Sequence, residues 1–309
     1  MRRKLREQMK SGLHGLFLFG QKFGWDILPR HFYSGIPNIR ELRRAESWKR
    51  PSSMTGVAGA DIGSQVSFLR GCCLPSLMMR LKQGGIHEHG CKMNGQVGYG
   101  PVEADFLYCF ISTKRPSKIV QVGCGVSTAV ILLAAEEANY KPEIICIDPF
   151  PTEYLTLIAQ QQLIELIPKP AQEVDMGIFT GLVAGDLLFV DSSHTMRPGS
   201  EVNRIILEVL PRLSAGSFVH FHDIYFPYDY QSNVLSTLFF AGESTLLHAF
   251  LIENRRYAIA VSLSMLHHAC PQQLQSLLAN YRPAAMHYGL DTAESDSGHF
   301  PSATYLSVF

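Results

Sequence analysis

The stretch that decides the fold is residues 117–135, SKIVQVGCGVSTAVILLAA. An apolar run, Ser117–Val122, leads into a turn with glycine at 123 and 125, and a segment rich in Ala, Leu and Ile follows over Ser127–Ala138. Glycine permits backbone conformations and close approaches that a side chain blocks. The pattern therefore predicts a strand, a tight turn and a helix, which is the first half of a βαβ unit.

The same alternation of strand and helix continues to the C-terminus. Short segments that are apolar on both faces indicate a sheet covered by helices on both sides. The sequence therefore predicts an α/β, doubly wound, Rossmann-like sheet. Its other predicted strands are Glu143–Ile147, Leu163–Ile167, Asp186–Val190, Ser217–Phe221, Tyr257–Leu263 and Thr304–Phe309, and its clearest other helices are the apolar stripe from Val202 to Leu213 and the segment Thr245–Glu253.

The first hundred residues lack this regular pattern. They carry scattered Gly and Pro and aromatic clusters, so we expect residues 1–100 to form a mostly helical or irregular extension that covers the active site, and residues 101–309 to form the α/β domain. The polar run His87–Cys91 stands among glycines and lacks a second Cys/His pair at zinc spacing, so it is predicted to be a flexible loop. The pair His267-His268 is predicted to lie at the surface.

Composition favours a globular protein with a substantial core. Apolar residues make up 46% of the 309 residues, charged residues make up 17%, and the formal net charge is zero. No overall charge points to nucleic acid, and no window approaches the roughly 18 apolar residues of a membrane helix. Residues 1–50 nevertheless hold eight more Lys/Arg than Asp/Glu. We interpret them as a helix with a solvated basic face; a targeting or membrane-surface segment is the alternative.

The seven cysteines show no disulfide framework. Their number is odd, and Cys109, Cys124 and Cys146 lie within apolar runs. Buried free thiols are typical of proteins from a reducing compartment. The sequence therefore predicts a cytoplasmic protein. Its predicted partner is a small-molecule substrate. Association of copies of the chain into a homo-oligomer stays open, because no sequence feature identifies a contact between them.

The glycine turn is a candidate cofactor site, because ligands of open α/β sheets bind beyond the carboxyl ends of the strands. Gly123 and Gly125 let a ligand approach the main chain, and Ser127 is placed to cap the next helix. A dinucleotide fingerprint requires glycine where this chain has Thr128. Asp148 ends the second strand, where a carboxylate can accept hydrogen bonds from a ribose diol. An NAD-type site remains the alternative.

Two further strand ends carry polar side chains to the same edge of the predicted sheet. Asp191 and His194 follow the fourth strand, and His222 and Asp223 follow the fifth. A histidine can remove a hydroxyl proton at neutral pH, and a pair of carboxylates can hold a divalent cation. His220, on the same strand face as His222, is interpreted as a supporting or core residue.

Six motifs in this order resemble a bacterial class I methyltransferase family. That family is similar to the macrocin-type, metal-dependent sugar O-methyltransferases and to the cephalosporin-biosynthesis methyltransferase. The resemblance spans about residues 25–265, and it implies about seven strands with the last one antiparallel. The motifs are Phe32–Pro37 (FYSGIP), Gly100–Asp105 (GPVEAD), Gln121–Ser127 (QVGCGVS), Cys146–Pro149 (CIDP), Leu188–His194 (LFVDSSH) and His220–Ile224 (HFHDI).

The resemblance implies S-adenosylmethionine as the cofactor. Gly123, Gly125 and Ser127 would hold its methionine end. Asp148 would bind the ribose, and Gln172, together with its neighbour Glu173, would meet the edge of the adenine. Asp191 would lie on the cofactor side of the site.

The same resemblance implies a metal and a base. Asp191 and Asp223 would be metal ligands together with His222, and His194 matches the base position. The cation would be Mg²⁺ or another divalent ion. The related enzymes carry an acidic residue where this chain has His222, and proline where it has Gly35. A histidine suits magnesium less well, because hard cations prefer oxygen ligands.

The sequence thus predicts a methyltransferase that uses S-adenosylmethionine to methylate a hydroxyl of a sugar or secondary metabolite. A nicotinamide-dependent oxidoreductase on the same sheet is one alternative. A non-catalytic protein that retains a cofactor pocket is the other.

Overall fold

The central strand β1 (Lys118–Val122) is covered on both faces because its side chains alternate. Ile119 packs into one hydrophobic core, whereas Val120 and Val122 pack into a second core on the other face. All three side chains are almost completely buried. A strand with two apolar faces is stable only between two layers of helices, and this arrangement is the doubly wound architecture that the sequence predicts.

The computed structural model describes residues 2–231, 233–286, 289–292 and 300–309. Besides β1, the strands are β2 (Glu143–Ile147), β3 (Glu165–Ile167), β4 (Leu187–Val190), β5 (Phe218–Phe221), β6 (Tyr257–Ser262), β7 (Pro283–Met286), β8 (Gly289–Thr292) and β9 (Thr304–Val308). The helices are α1 (Arg2–Gln21), α2 (Ile39–Arg44), α3 (Ile62–Cys72), α4 (Pro75–Lys82), α5 (Ile86–Asn94), α6 (Pro101–Lys114), α7 (Val126–Glu137), α8 (Glu153–Gln160), α9 (Met176–Thr180), α10 (Glu201–Arg204), α11 (Val234–Thr237), α12 (Glu243–Leu251), α13 (Leu263–Ala269) and α14 (Pro271–Leu277).

Seven strands form one sheet in the order β3-β2-β1-β4-β5-β9-β6. The strands β1 to β5 are parallel, and β9 runs antiparallel to both of its neighbours. The predicted seven-stranded sheet with a final antiparallel strand is therefore confirmed. The chain leaves β1 toward β2 on one side and returns to β4 on the other. Ligands of such sheets bind at this switch point, beyond the carboxyl ends of the strands.

The chain forms two compact units, of which the first ends at Ala45 and the second runs from Glu46 to Phe309. The first unit contains α1 and α2, and Asn38 caps α2 by accepting a hydrogen bond from the backbone N–H of Arg40. The second unit contains the sheet and all the other helices. In the part of the chain that the structure describes, no helix combines the length and the apolar character needed to cross a membrane. A covering role for the first hundred residues stays a prediction.

Two predictions about local structure were wrong. The run His87–Cys91 is not a loop but part of α5, whose Gly90 lies so close to α7 that a Cβ there would be 2.9 Å from a Val126 side-chain carbon. His267 is not at the surface: it is fully buried, and its Nδ1 lies 2.8 Å from the hydroxyl of Tyr281. In both cases tertiary packing outweighs the local polar character of the sequence.

The predicted helix from Val202 to Leu213 is interrupted. After α10 the backbone continues as a π-helical turn, Ile205–Val209, and then as a 3₁₀ turn, Leu210–Arg212. Pro211 lacks the N–H that a regular α-helix would use here, which accounts for the change in hydrogen bonding. The apolar stripe is still buried, as predicted.

The carboxylate of Glu137, at the end of α7, ties α4 and α6 to the sheet domain. Arg80 donates to it through Nε at 2.9 Å and Nη2 at 3.0 Å, and the hydroxyl of Tyr108 donates as well. Glu137 is 32% exposed at its side chain, so solvent weakens the ion pair but does not remove it. Burial raises the pKa of Glu137, but the hydrogen bonds from Arg80 and Tyr108 outweigh burial and lower this pKa.

Glu137→Gln is expected to lower the free energy of unfolding by about 1–2 kcal/mol at pH 7, because two charge-assisted partners lose their anion. A carboxyl group with a lowered pKa stabilises the fold above its unfolded pKa and loses this effect as the pH falls through the folded-state value. The difference from the wild type should therefore shrink below about pH 4. Urea unfolding at several pH values measures this difference in the free energy of unfolding. The control is Glu136→Gln, at the exposed neighbouring residue. Equal effects of the two substitutions would contradict the prediction.

Candidate functional site

The glycine turn between β1 and α7 packs directly against the end of β4. Gly123 has a φ of 76°, and a Cβ at this position would lie 1.7 Å from the backbone oxygen of Asp191. Gly125 has a φ of 154°, and its N–H donates to Thr128 Oγ1 at 3.1 Å. Residue 123 must therefore be glycine, both for its backbone conformation and for the close approach of β4.

Ser127 supports this turn from the core. It is buried, and its Oγ accepts a hydrogen bond from Gln121 Nε2 at 2.7 Å. Gln121 Oε1 accepts in turn from Thr128 Oγ1 at 2.9 Å. Because α7 begins at Val126, Ser127 lies inside the first turn of the helix and does not cap it. Its predicted contact with a cofactor stays a prediction.

Asp148, at the end of β2, is held against the glycine turn. Its Oδ2 accepts from the backbone N–H of Cys124 at 3.1 Å, and its Oδ1 accepts from the backbone N–H of Phe150 at 2.8 Å. Each carboxylate oxygen has two acceptor sites, so both oxygens retain capacity for a ligand hydroxyl. The structure thus brings the first and second strand ends together, as the sequence predicts.

A cleft of about 370 Å³ lies beyond the carboxyl ends of β1, β2 and β4. This volume is in the range of small-molecule and cofactor sites. Gly125 and Ser127 are not among the described residues that line it. Four of the predicted binding residues do line it, namely Gly123, Asp148, Gln172 and Asp191.

Gln172 lines this cleft and carries an unsatisfied acceptor. Its Oε1 is buried and has no hydrogen-bond partner among the described residues. A buried amide oxygen without a partner costs about 1–3 kcal/mol. A ligand that brings an N–H donor to this atom would recover that cost.

A cluster of four polar side chains, which we call the His–Asp cluster, adjoins the cleft. It consists of Asp191 and His194 after β4 and of His222 and Asp223 after β5. His194 Nε2 lies 3.4 Å from Asp191 Oδ1 and 3.5 Å from Asp223 Oδ2. His222 Nδ1 lies 3.2 Å from Asp191 Oδ1 and 3.7 Å from Asp223 Oδ1. The structure therefore brings together all four side chains that the sequence places at neighbouring strand ends.

Two members of the His–Asp cluster have strained backbones. His194 has a φ of 56° and Asp223 a φ of 55°. Positive φ is unfavourable for a residue with a Cβ, and such residues concentrate at functional sites.

The carboxylates and imidazoles of the cluster stabilise each other's charges. Burial opposes ionisation of Asp191, but the charge of His222 and hydrogen bonds from both histidines hold its pKa well below the usual range. Burial likewise opposes protonation of His222, yet Asp223 and Asp191 raise its pKa to about 10. The pKa of Asp223 is lowered, against burial, by His222 and His194.

Glu243 is a site residue that the sequence reasoning missed. It is the first residue of α12, it is 1% exposed, and its Oε2 lies 2.7 Å from His194 Nδ1. The predicted helix starts at Thr245, so Glu243 was left outside it. Burial lowers the pKa of His194, but hydrogen bonds with Asp191 and Glu243 outweigh burial and raise this pKa well above its usual range. An acidic residue at the start of an apolar helix was the available signal.

His220 has the supporting role that the sequence suggests. It is fully buried, its ring stacks on Phe189 at a centroid distance of 4.0 Å, and its Nε2 lies 3.1 Å from the hydroxyl of Tyr99. Burial lowers the pKa of His220 well below its usual value, so the ring is neutral. It packs beneath the His–Asp cluster and bears no charge.

Three side chains of the cluster offer ligand atoms within 4.8 Å of one another: Asp191, His194 and His222. The predicted metal set instead contains Asp223, whose Oδ1 accepts a hydrogen bond from Ser302 Oγ at 2.9 Å. Among the described residues, the closest donor set therefore has two imidazoles and one carboxylate. Such a set suits a borderline ion such as Zn²⁺ better than Mg²⁺.

Residues 120–224 match the sequence profile of a family described as a methyltransferase domain. The chain is 32% identical over 183 residues to an uncharacterized protein of Archaeoglobus fulgidus. The matched region covers 57% of this chain and 80% of the archaeal protein. The SAH-bound Podospora anserina methyltransferase is similar in structure, with 15% identity, a TM-score of 0.41, and coverage of 92% of this chain and 99% of that one. A methyltransferase from Geobacter sulfurreducens has 16% identity, a TM-score of 0.32, and coverage of 50% and 73%.

Proposed function

We propose that this chain, which belongs to the class I S-adenosylmethionine-dependent methyltransferase family, methylates a hydroxyl oxygen of a small molecule. One observation carries the proposal. Asp191 both lines the cleft beyond β1, β2 and β4 and contacts His194 and His222 of the His–Asp cluster. A cofactor site and an acid–base site thus meet at one residue, as methyl transfer between two bound molecules requires.

The cleft has the groups that S-adenosylmethionine needs. Gly123 lets the ligand approach the main chain, and the carboxylate of Asp148 can accept hydrogen bonds from ribose hydroxyls. The unsatisfied Oε1 of Gln172 can accept from the adenine amino group. When bound, S-adenosylmethionine supplies a methyl group on a positively charged sulfur.

The residues fit poorly with the Mg²⁺ that the resemblance implies. His222 Nδ1 lies between the carboxylate oxygens of Asp191 and Asp223, where a hard cation would need oxygen ligands. A borderline ion at Asp191, His194 and His222 would occupy His194 Nε2, the atom that must receive the acceptor's proton. The two roles of His194 exclude each other, so the mechanism uses only the chain's own side chains.

His194 acts as the general base in its neutral form, and because its pKa is raised, the rate should rise with pH above the range of an ordinary imidazole. Its Nδ1 is held by Glu243, so Nε2 faces Asp191 and Asp223 at the centre of the cluster. The acceptor oxygen forms a bond to the methyl carbon, its proton passes to Nε2, and the electron pair of the broken carbon–sulfur bond goes to sulfur. The carboxylates of Asp191 and Asp223 stabilise the resulting imidazolium. General-base catalysis contributes typically 10²- to 10⁴-fold to such a rate.

Glu243→Gln is expected to lower kcat by about 10- to 100-fold at alkaline pH, where His194 is neutral in both proteins, with little change in the KM for S-adenosylmethionine. The glutamine retains the shape of the side chain but not the charge that stabilises the His194 imidazolium. The pKa of His194 should fall, so the rise of kcat with pH should move to lower pH. Glu208→Gln, at an exposed position, is the matched control. A lower kcat with an unmoved pH profile would contradict the assigned role.

Calorimetry tests the proposed function itself. We expect S-adenosylmethionine and S-adenosylhomocysteine to bind and NAD⁺ not to bind. Asp148→Asn should weaken both cofactor affinities about tenfold, because a ribose hydroxyl loses a charged acceptor. Asp175→Asn is the control, since Asp175 is exposed and caps α9, a role that asparagine also fills. Binding of NAD⁺ alone would overturn the proposal. Inhibition of methyl transfer by a chelator would show that a metal ion, and not the His194 base, activates the acceptor hydroxyl.

A further inference from the structure

The first unit, which ends at Ala45, leaves its large apolar side chains exposed. Among residues 10–45, only Gly20 is buried. Of the 24 large apolar side chains that are exposed in the described part of the chain, 11 belong to this unit of 45 residues. Trp25 is 70% exposed and Phe32 is 93% exposed. Exposed apolar side chains at such a density mark a surface for a partner or a membrane.

The helix α1 separates apolar from basic side chains. Leu13, Leu16 and Phe17 share one face, because residues three and four positions apart are neighbours on a helix. Lys10 and His14 are four positions apart on the adjacent face, and both are exposed. A helix with an apolar face and a basic face is suited to lie in the plane of a membrane surface.

The chain turns back at the end of α1 and brings aromatic rings together there. The backbone N–H groups of Phe23 and Trp25 both donate to the carbonyl of Gly20, at 2.9 Å and 3.0 Å. A Cβ at residue 20 would lie 2.6 Å from the backbone oxygen of Trp25, so glycine permits this turn. The rings of Phe19 and Phe23 have centroids 5.1 Å apart. Aromatic side chains, tryptophan above all, favour the interface between lipid headgroups and hydrocarbon.

The first unit is strongly basic in a chain whose formal net charge is zero. Residues 1–45 hold ten Lys/Arg and three Asp/Glu, a net charge of +7. Two of the acidic side chains are already engaged inside the unit. Asp26 accepts from Gln21 at 3.1 Å, and Glu41 accepts from Asn38 at 2.6 Å. The surface that carries the exposed apolar side chains is therefore positive and fits an anionic partner.

An anionic membrane satisfies both properties of this surface. A second copy of the unit would cover the apolar side chains, but it would place one charge of +7 against another. A nucleic acid duplex would neutralise the charge, but it would leave the aliphatic Leu13, Leu16 and Leu28 without an apolar partner. Anionic phospholipids supply negative headgroups above a hydrocarbon layer, so charge and apolar area are matched together.

We propose that the first unit binds the surface of a membrane that contains anionic phospholipids. The helix α1 lies in the plane of the interface with Leu13 and Leu16 toward the hydrocarbon. Phe23 and Trp25 lie at the level of the headgroups, whose negative charges attract the basic side chains. The inference adopts the alternative that the sequence left open for the basic N-terminal segment. It does not depend on the proposed function, because the residues that line the cofactor cleft belong to the second unit.

Sedimentation of the full chain with phospholipid vesicles tests the proposal. We expect binding to an equal mixture of phosphatidylserine and phosphatidylcholine to be at least about tenfold stronger than to phosphatidylcholine alone, and to weaken in high salt. Lys22→Gln should weaken binding about fivefold, since one basic residue near the surface is lost. The double variant Phe23→Ala/Trp25→Ala should weaken it about tenfold. Lys141→Gln and Phe309→Ala, at exposed positions of the second unit, are the matched controls.

Tryptophan fluorescence measures insertion directly. The chain has two tryptophans, Trp25 and Trp48, so the variant Trp48→Phe reports on residue 25 alone. We expect its emission to move to shorter wavelength when mixed vesicles are added, and to be quenched by brominated phosphatidylcholine in those vesicles. A ring that stays in water shows neither change.

Every outcome bears on the proposal. Equal binding to both kinds of vesicle, or binding that the Phe23→Ala/Trp25→Ala variant leaves unchanged, overturns it, as does an emission that vesicles do not shift. Absence of vesicle binding overturns it as well. In that case, self-association lost in the double variant assigns the surface to a second copy, and binding of a DNA duplex weakened by Lys22→Gln assigns it to nucleic acid. Failure of the same preparations to bind S-adenosylhomocysteine counts against the proposed function alone.

Discussion

Gly123→Ala is expected to lower the free energy of unfolding by about 2–5 kcal/mol and to abolish cofactor binding. The alanine Cβ would lie 1.7 Å from the backbone oxygen of Asp191. This neighbour is main chain, so the end of β4 must move to make room. A positive φ costs a residue with a Cβ about 1–2 kcal/mol, and overpacking adds about 1–3 kcal/mol. Urea unfolding and calorimetry with S-adenosylhomocysteine measure the two effects.

Gly185→Ala separates strain from the clash. Gly185 also has a positive φ, of 89°, but a Cβ there would have no atom within 4 Å. This control should lose only about 1–2 kcal/mol and bind S-adenosylhomocysteine like the wild type. A Gly123→Ala protein that behaves like Gly185→Ala would show that the close approach of β1 and β4 does not shape the cleft.

His194→Ala is expected to lower the rate of methyl transfer by about 10²- to 10⁴-fold while the affinity for S-adenosylhomocysteine changes little. In the proposed mechanism the imidazole receives the proton of the acceptor, and it is not among the described residues that line the cleft. Single-turnover rates of methyl transfer, together with calorimetry, measure the two quantities. His14→Ala, at an exposed histidine of α1, is the control.

Removing His194 also takes the imidazole partner from the buried carboxylate of Glu243, and Asp223 loses one of its contacts. The variant can therefore be destabilised, and its thermal unfolding must be followed alongside its rate. Added imidazole should restore part of the activity of His194→Ala if the residue is the base, because a purely structural loss gives no such rescue. An unchanged rate would remove His194 from the mechanism.

Much of the fold followed from pattern alone. The glycine turn, the second strand ending in Asp148 and the fourth ending in Asp191 were located because a parallel sheet forces apolar runs to alternate with helices. The direction of parallel strands then places all three strand ends on one edge of the sheet. Cys109 and Cys146 are buried and unpaired, as expected, whereas Cys124 is only partly buried because it lies in the turn itself.

The partners of the site residues did not follow from pattern. Glu243 reaches His194 across 49 residues of sequence, and Ser302 reaches Asp223 across 79. No local pattern identifies the partner in either contact, since each contact depends on where a distant helix or strand docks. The orientation of Ser127 was missed for a related reason: its hydroxyl is bonded to Gln121 of the preceding strand, a contact that exists only once β1 and α7 pack together.

The sequence by itself determined which strands exist, where they end and which side chains stand at those ends, because periodicity and glycine act over a few residues. Tertiary structure alone decided that Glu243 orients His194 and that an imidazole lies between Asp191 and Asp223. These features are contacts between segments far apart along the chain. Packing of the whole core selects them, and no local pattern encodes that packing.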